Sequence, residues 1–295
     1  MNRVPIVKPT LANKLSCLAA AFVVMLWLVG MSQYVIGLIP LGARDLFLIS
    51  SVLQSLFAFM FPAWLVARLC SGATSEYLGT NRTGGEKPYW GILILYLLML
   101  PALNFVVDWN ANLHFPAGME SMEAMMRGWE ERAAGLTDTI LSDPSIWGLI
   151  SGVLIVGCLT GLSEEMFFRA GLQKAMTSSG VNRHLAIWIS ALVFSAVHFQ
   201  FFGFVPRLLL GALFGYLYFY SGSIWVSASA HAFNNSLVVI SAWLSARGIA
   251  SIDIDTIGVA ADGFPWVSLM SLILTVLFVA VFGKTFFCHG PAKRS

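Results

Sequence analysis

Residues 146–178 read IWGLISGVLIVGCLTGLSEEMFFRAGLQKAMTS. A helix needs about 20 mostly apolar residues to cross a bilayer, and this run exceeds that length. Its second half nevertheless holds Ser163-Glu164-Glu165-Met166-Phe167-Phe168-Arg169. An ionised side chain at bilayer depth costs on the order of 3 kcal/mol or more, so acids placed there mark function. The same stretch therefore points to a membrane fold and to a site inside it.

The rest of the chain agrees with a membrane fold. Of 295 residues, 58% are hydrophobic and 11% charged, with a mean hydropathy of +0.78. Soluble proteins are about 45–50% apolar and about 25% charged. Such a shortage of charge excludes a soluble globular enzyme, a disordered chain, a nucleic-acid binder and a disulfide scaffold. Cys17, Cys70, Cys158 and Cys288 are scattered through apolar sequence, with neither a CxxC metal site nor a disulfide framework.

Apolar runs predict an all-α polytopic protein of eight spans, at about 15–39, 46–69, 89–107, 146–178, 184–200, 205–221, 224–244 and 265–287. The first is too long for a signal-peptide core and lacks a small-residue cleavage site. Trp90, Trp109, Trp147, Trp225, Trp243 and Trp266 fall near span ends, where indoles favour the water–lipid boundary. Phe202-Gly203-Phe204 with Pro206, and Ser221-Gly222-Ser223, break the last three runs of the central group apart. Three regions result: 1–145, with three spans and an outer segment; 146–244, the core; and 245–295, an outer loop, last span and basic tail.

Basic residues orient the chain. With the N-terminus inside, the cytoplasmic side collects Arg3, Lys8, Lys14, Arg68, Arg82, Lys87, Lys174, Arg183, Lys284, Lys293 and Arg294. Only Arg44, Arg127, Arg132, Arg207 and Arg247 fall on the far side, among Asp108, Glu120, Glu123, Glu130, Glu131, Asp138, Asp143, Asp253, Asp255 and Asp262. The positive-inside rule then places both termini in the cytoplasm, consistent with an even number of spans. The setting expected is a bacterial plasma membrane. Residues 119–132 (MESMEAMMRGWEER) alternate methionine and tryptophan with acids at helical spacing. They read either as a helix lying flat at the outer interface or as an ordinary amphipathic linker.

Polar residues recur in three spans. Besides the acid pair there are Phe194 and His198 at the end of the fifth, and His231 with Asn235 in the seventh. Glu165 and Arg169 are four apart with the acid first, the favourable order for an intrahelical ion pair. Glu164 is turned about 100° away, free for other work, and an unpaired carboxylate in apolar surroundings suits a general base. His231 and Asn235 share one helix face, and Phe194 stands one turn from the His198 imidazole. Glu164 and His198 are each 17 residues from Val181 at the middle of their hairpin, so antiparallel helices bring them to one level. His231, eight residues after Ser223, lies nearer the cytoplasmic surface unless the fourth helix is long and projecting.

In this order, EExxxR (Glu164, Glu165, Arg169), FxxxH (Phe194, His198) and HxxxN (His231, Asn235) resemble the CPBP, or Abi, intramembrane proteases. That family includes the type II CAAX prenyl endopeptidases. Arg207-Leu208-Leu209-Leu210-Gly211 and Gly222-Ser223-Ile224-Trp225 resemble its connecting sequence, and the likeness covers about 146–244. The resemblance implies peptide-bond hydrolysis within the membrane. Glu164 and His198 would activate water, His231 and Asn235 would bind the oxyanion, and Glu165, Arg169 and Phe194 would support the site. The expected partners are membrane lipid and a membrane-associated or terminal peptide, with lipid modification optional and nucleic acid absent.

No cofactor is certain. One carboxylate and two imidazoles (Glu164, His198 and His231) could hold a divalent metal such as zinc with an open position. HExxH is absent, and the metal-free alternative makes Glu164 the base with a histidine positioning water. Two other readings stay open: a non-catalytic membrane immunity or regulatory protein, and a transporter using the polar groups as a relay. The latter predicts repeated halves, which the clustering of motifs in one half does not offer. Gly211 and Gly215, four apart, read as a close-packing face.

Overall fold

The structure is a computed structural model and describes residues 4–141, 143–249, 256–259 and 264–288. Arg3, Asp253, Asp255, Asp262, Lys293 and Arg294, used above for orientation, lie outside the described residues.

The chain is a helical membrane protein, and no strand occurs among the described residues. The helices are α1 (Leu11–Ile36), α2 (Ala43–Cys70), the short α3 (Thr74–Leu78), α4 (Lys87–Ala111) and α5 (Glu120–Leu141). They continue as α6 (Ile146–Thr177), α7 (Arg183–Ala196), α8 (Phe204–Ser221), α9 (Ile224–Ala246) and α10 (Trp266–Phe287). A 3-10 turn, Phe201–Gly203, precedes α8.

Six segments are long and apolar enough to span: α1, α2, α4, α6, α8 with its 3-10 turn, and α10. The count of eight is not reached by this measure, for two physical reasons. The expected fifth span, 184–200, forms only the 14-residue α7, about 21 Å long against a hydrocarbon core of about 30 Å. The expected seventh is present as α9, but Ser227, Ser229, His231, Asn234, Asn235 and Ser236 lower its apolarity. All of the amphipathic segment 119–132 but Met119 falls in α5, whose Glu130 accepts from the Phe202 N–H (3.0 Å) and whose Arg127 lies 3.9 Å over the Phe202 ring. This helix therefore covers the turn between the short α7 and α8.

Two features of helix packing position the site. First, α6 is unbroken over 32 residues, about 48 Å. It widens to i→i+5 turns at Gly152–Leu159 and Met166–Gln173, on either side of an α-helical Thr160–Glu165. Such π turns collect at functional sites. This long fourth helix brings Glu164 to the level of His231, the condition the sequence left open. Second, α6 and α9 run antiparallel in close approach: a Cβ on Gly157 would stand 2.4 Å from Ser236 Oγ, and one on Gly161 2.9 Å from the Ala232 backbone nitrogen. Gly211 and Gly215 face Ala191 and Ile187 of α7 in the same manner, as their spacing implied.

Away from the site, Pro101 interrupts α4 and removes one backbone donor. The Ser271 hydroxyl of α10 fills the gap, accepting from the Ala102 N–H (3.1 Å) and donating to the Leu98 carbonyl. A buried cluster of Leu95, Tyr96, Phe214, Leu217, Val226 and Phe278 ties α4 and α10 to α8 and α9.

Candidate active site

Glu165 and Arg169 form the ion pair expected from their spacing, with Nε–Oε2 at 3.0 Å and both side chains fully buried. It is a contact of opposite charges rather than an aligned hydrogen bond, and the Arg169 Nη1 has no hydrogen-bond partner. The Arg169 Nη2 donates to the Gly211 carbonyl at 3.1 Å, and the guanidinium carbon sits 4.8 Å from the Phe194 ring centre. The pair thereby joins α6 to α7 and α8.

Glu165 also does something its sequence position does not announce. Its Oε1 lies 3.0 Å from Nδ1 of His231, so one buried carboxylate bridges a guanidinium and an imidazole. A carboxylate only accepts, which assigns the Nδ1 proton to His231 and directs Nε2 elsewhere. Phe214 stacks on the imidazole at 4.7 Å and Phe194 meets it edge-on at 5.7 Å. The ring is held on three sides.

Nε2 of His231 faces Oε2 of Glu164 at 3.7 Å. That is too long for a hydrogen bond, and polar groups at such a separation commonly share a water. Glu164 is 8% exposed and Glu165 is not exposed at all. The two adjacent acids thus occupy different environments: Glu165 is locked into the packing, whereas Glu164 keeps a small exposed surface.

His198 follows the end of α7. Its Nδ1 donates to the Phe194 carbonyl at 2.7 Å, and its ring lies 5.1 Å from that of Phe194. This leaves Nε2 as the free acceptor. Glu164, Arg207 and His231 are the charged or titratable groups near enough to act on it electrostatically. The chain turns away directly afterwards at Phe199, whose φ of 54° is the left-handed conformation a bulky residue rarely adopts. Nothing in the sequence signals that turn.

Asn235 donates from Nδ2 to the Val156 carbonyl at 3.3 Å. An amide has a second N–H, so this anchor leaves one donor over. Glu164, His198 and His231 are gathered by these contacts; Asn235 is tied to α6 one turn further along α9 from His231.

Two residues of the site were missed from sequence. Phe214 looks like ordinary core. Arg207, read as a far-side cation and as part of the connecting sequence but given no role in the site, donates to Gln200 at 2.7 Å and acts electrostatically on both His198 and Glu164. Its place after Pro206, nine residues beyond His198, was the available signal.

Metal binding has no assembled ligand set: among the described residues no three His, Cys, Asp or Glu side chains are placed to hold an ion. The Nδ1 atoms of His198 and His231 are turned to Phe194 and Glu165, which leaves both Nε2 atoms free.

Residues 146–237 match the family model described as Type II CAAX prenyl endopeptidase Rce1-like. No curated protein and no solved structure matches the chain.

Proposed function

We propose, from the membership of this chain in the CPBP (Abi) family through residues 146–237, that it is an intramembrane endopeptidase that uses Glu164 to activate water. The observation carrying this reading is that Glu164 Oε2 stands 3.7 Å from His231 Nε2, beyond hydrogen-bond reach, an acid left without a close partner in an interior where an ionised acid is costly.

The side chains supply a balanced hydrolysis. Glu164 takes a proton from a water that His198 Nε2 also holds, and the resulting hydroxide adds to the peptide carbonyl. Negative charge develops on the carbonyl oxygen. Donors aimed at that charge are commonly the largest catalytic contribution. His231 in its doubly protonated form, its Nδ1–H held by Glu165, donates from Nε2, and Asn235 donates its second N–H. Collapse of the intermediate breaks the C–N bond, and Glu164 returns the proton to the leaving amine. Arg169 and Phe194 keep Glu165 and the two imidazoles in register.

The substrate class is a membrane-associated or terminal peptide, a lipid-modified one included, in a bacterial plasma membrane. Cytoplasmic termini are part of the reading. In support of one common basic end, Lys14 of α1 donates to Ser178 and Ser179 beside the α6–α7 turn (2.8 and 3.1 Å). Ser223 donates to the Arg82 carbonyl there.

The test is cleavage of a membrane-reconstituted peptide library by purified protein and by Glu164→Gln, His198→Ala and His231→Ala. Each substitution is expected to lower the rate about 10²–10⁴-fold with insertion intact. Full activity in Glu164→Gln would overturn the mechanism. Unchanged biological activity with both histidines replaced would favour a non-catalytic regulatory protein.

A further inference from the structure

A cavity of about 820 Å³ opens beside α6, lined in part by Leu162 and Met166. These residues lie two positions on either side of Glu164, which at about 100° per residue puts them on the opposite helix face. This hollow is therefore separate from the catalytic side. Its volume falls within the about 300–1,000 Å³ of small-molecule sites.

The lining changes character with depth. Met60, Trp64, Leu162 and Met166 form an apolar wall, while Arg68, Ser75, Glu76 and Asn81 form a polar rim. Met60 is two turns of α2 below Arg68, about 12 Å. Trp64 is 44% exposed, so the wall is open towards the surrounding hydrocarbon. At the rim, the Trp225 indole N–H is fixed to the Thr80 carbonyl at 3.0 Å.

Charge identifies the occupant. The Arg68 guanidinium, only partly buried, makes no hydrogen bond or ion pair among the described residues, and the side chains of Ser75 and Asn81 make none either. The one acid at the rim, Glu76, is faced by Lys174, and Arg82 stands beside that lysine. The rim thus keeps an unsatisfied cation with neutral donors around it, above an apolar shaft at the end of the membrane helices.

We propose that this cavity binds an anionic phospholipid, its phosphate on Arg68 and its acyl chain along Trp64 and Met60. A peptide would satisfy the rim but would leave the lipid-facing opening at Trp64 without purpose. The site stands whether or not Glu164 hydrolyses any substrate.

The experiment is native mass spectrometry of the full-length protein in maltoside detergent, titrated with phosphatidylglycerol or with diacylglycerol. One phosphatidylglycerol should be retained at least about tenfold more tightly than diacylglycerol, the worth of a charge-assisted contact. Arg68→Gln should erase that preference, and Ala73→Trp, which places an indole into the hollow, should abolish retention. Arg132→Gln, on exposed α5, should change nothing. Undiminished preference in Arg68→Gln would overturn the proposal even if Ala73→Trp failed to fold. Displacement of the lipid by equimolar glycerol phosphate would also overturn it, by making this a site for soluble anions.

Discussion

Exchanging Glu165 for glutamine and, separately, exchanging Glu164 for glutamine should give opposite phenotypes, although the residues are neighbours and the change is isosteric. Glu165 lies 3.0 Å from both Arg169 and His231 with no exposed surface. At that distance and an effective dielectric of about 20, the attraction to Arg169 is about 5 kcal/mol. Glutamine removes it and leaves a buried guanidinium whose remaining partners are the Gly211 carbonyl and the aromatic faces of Phe168, Phe194 and Phe214. Breaking one side of a buried pair costs about 3–5 kcal/mol, which corresponds to a fall in Tm on the order of 10 °C. Glu164 has no close ion-pair partner, its nearest imidazole nitrogen being 3.7 Å away. Glu164→Gln should leave Tm within a few degrees and remove cleavage. The assay pairs thermal unfolding in lipid nanodiscs with hydrolysis of a quenched peptide library. Equal destabilisation by both substitutions, or a Glu165→Gln protein as stable as wild type, would refute the division of labour between the two acids.

Other substitutions test the framework around them. Gly161→Ala should separate α6 from α9, because its Cβ would lie 2.9 Å from the Ala232 backbone. A destabilisation of about 1–3 kcal/mol, with lost cleavage, is expected in denaturant titrations, and normal activity would show that the close approach is dispensable. Ser271→Ala should cost about 1–2 kcal/mol by leaving the Pro101 gap unfilled, read as a lower Tm with cleavage unchanged at permissive temperature. Outside the membrane, the Phe115 backbone N–H and then the Arg127 guanidinium hold the Glu123 carboxyl down from 4.5 to about 2. A depressed folded value means that this acid's contribution is complete above 4.5 and lost as pH falls towards 2. Trp129 fluorescence on α5 should therefore show an acid transition in that window that Glu123→Gln lacks, and an identical transition in both proteins would refute the assignment.

Composition and apolar run length made the membrane fold legible, and the i, i+4 order of Glu165 and Arg169 made their pairing legible. Both depend on residues within one helix. The bridge from Glu165 to His231 was not legible, because it depends on how closely α6 and α9 approach. That approach uses Gly157 and Gly161, and the π turns shift the register so that Gly152 and Gly157, five apart, both face α9. Nor did apolarity reveal that α7 stops at Ala196: Val197 and Phe199 extend the apolar run past it around His198, and the chain turns away at the left-handed backbone of Phe199. Asn235 shares the His231 face as expected from spacing, yet its contact to Val156 is set by the partner helix.

Comparative peptidomics of membranes carrying equal amounts of wild-type protein and Glu164→Gln bears most directly on water activation by that acid. Complementary peptide pairs with new termini should accumulate only with the wild type. The same pairs, in equal abundance, from membranes holding Glu164→Gln would contradict the account.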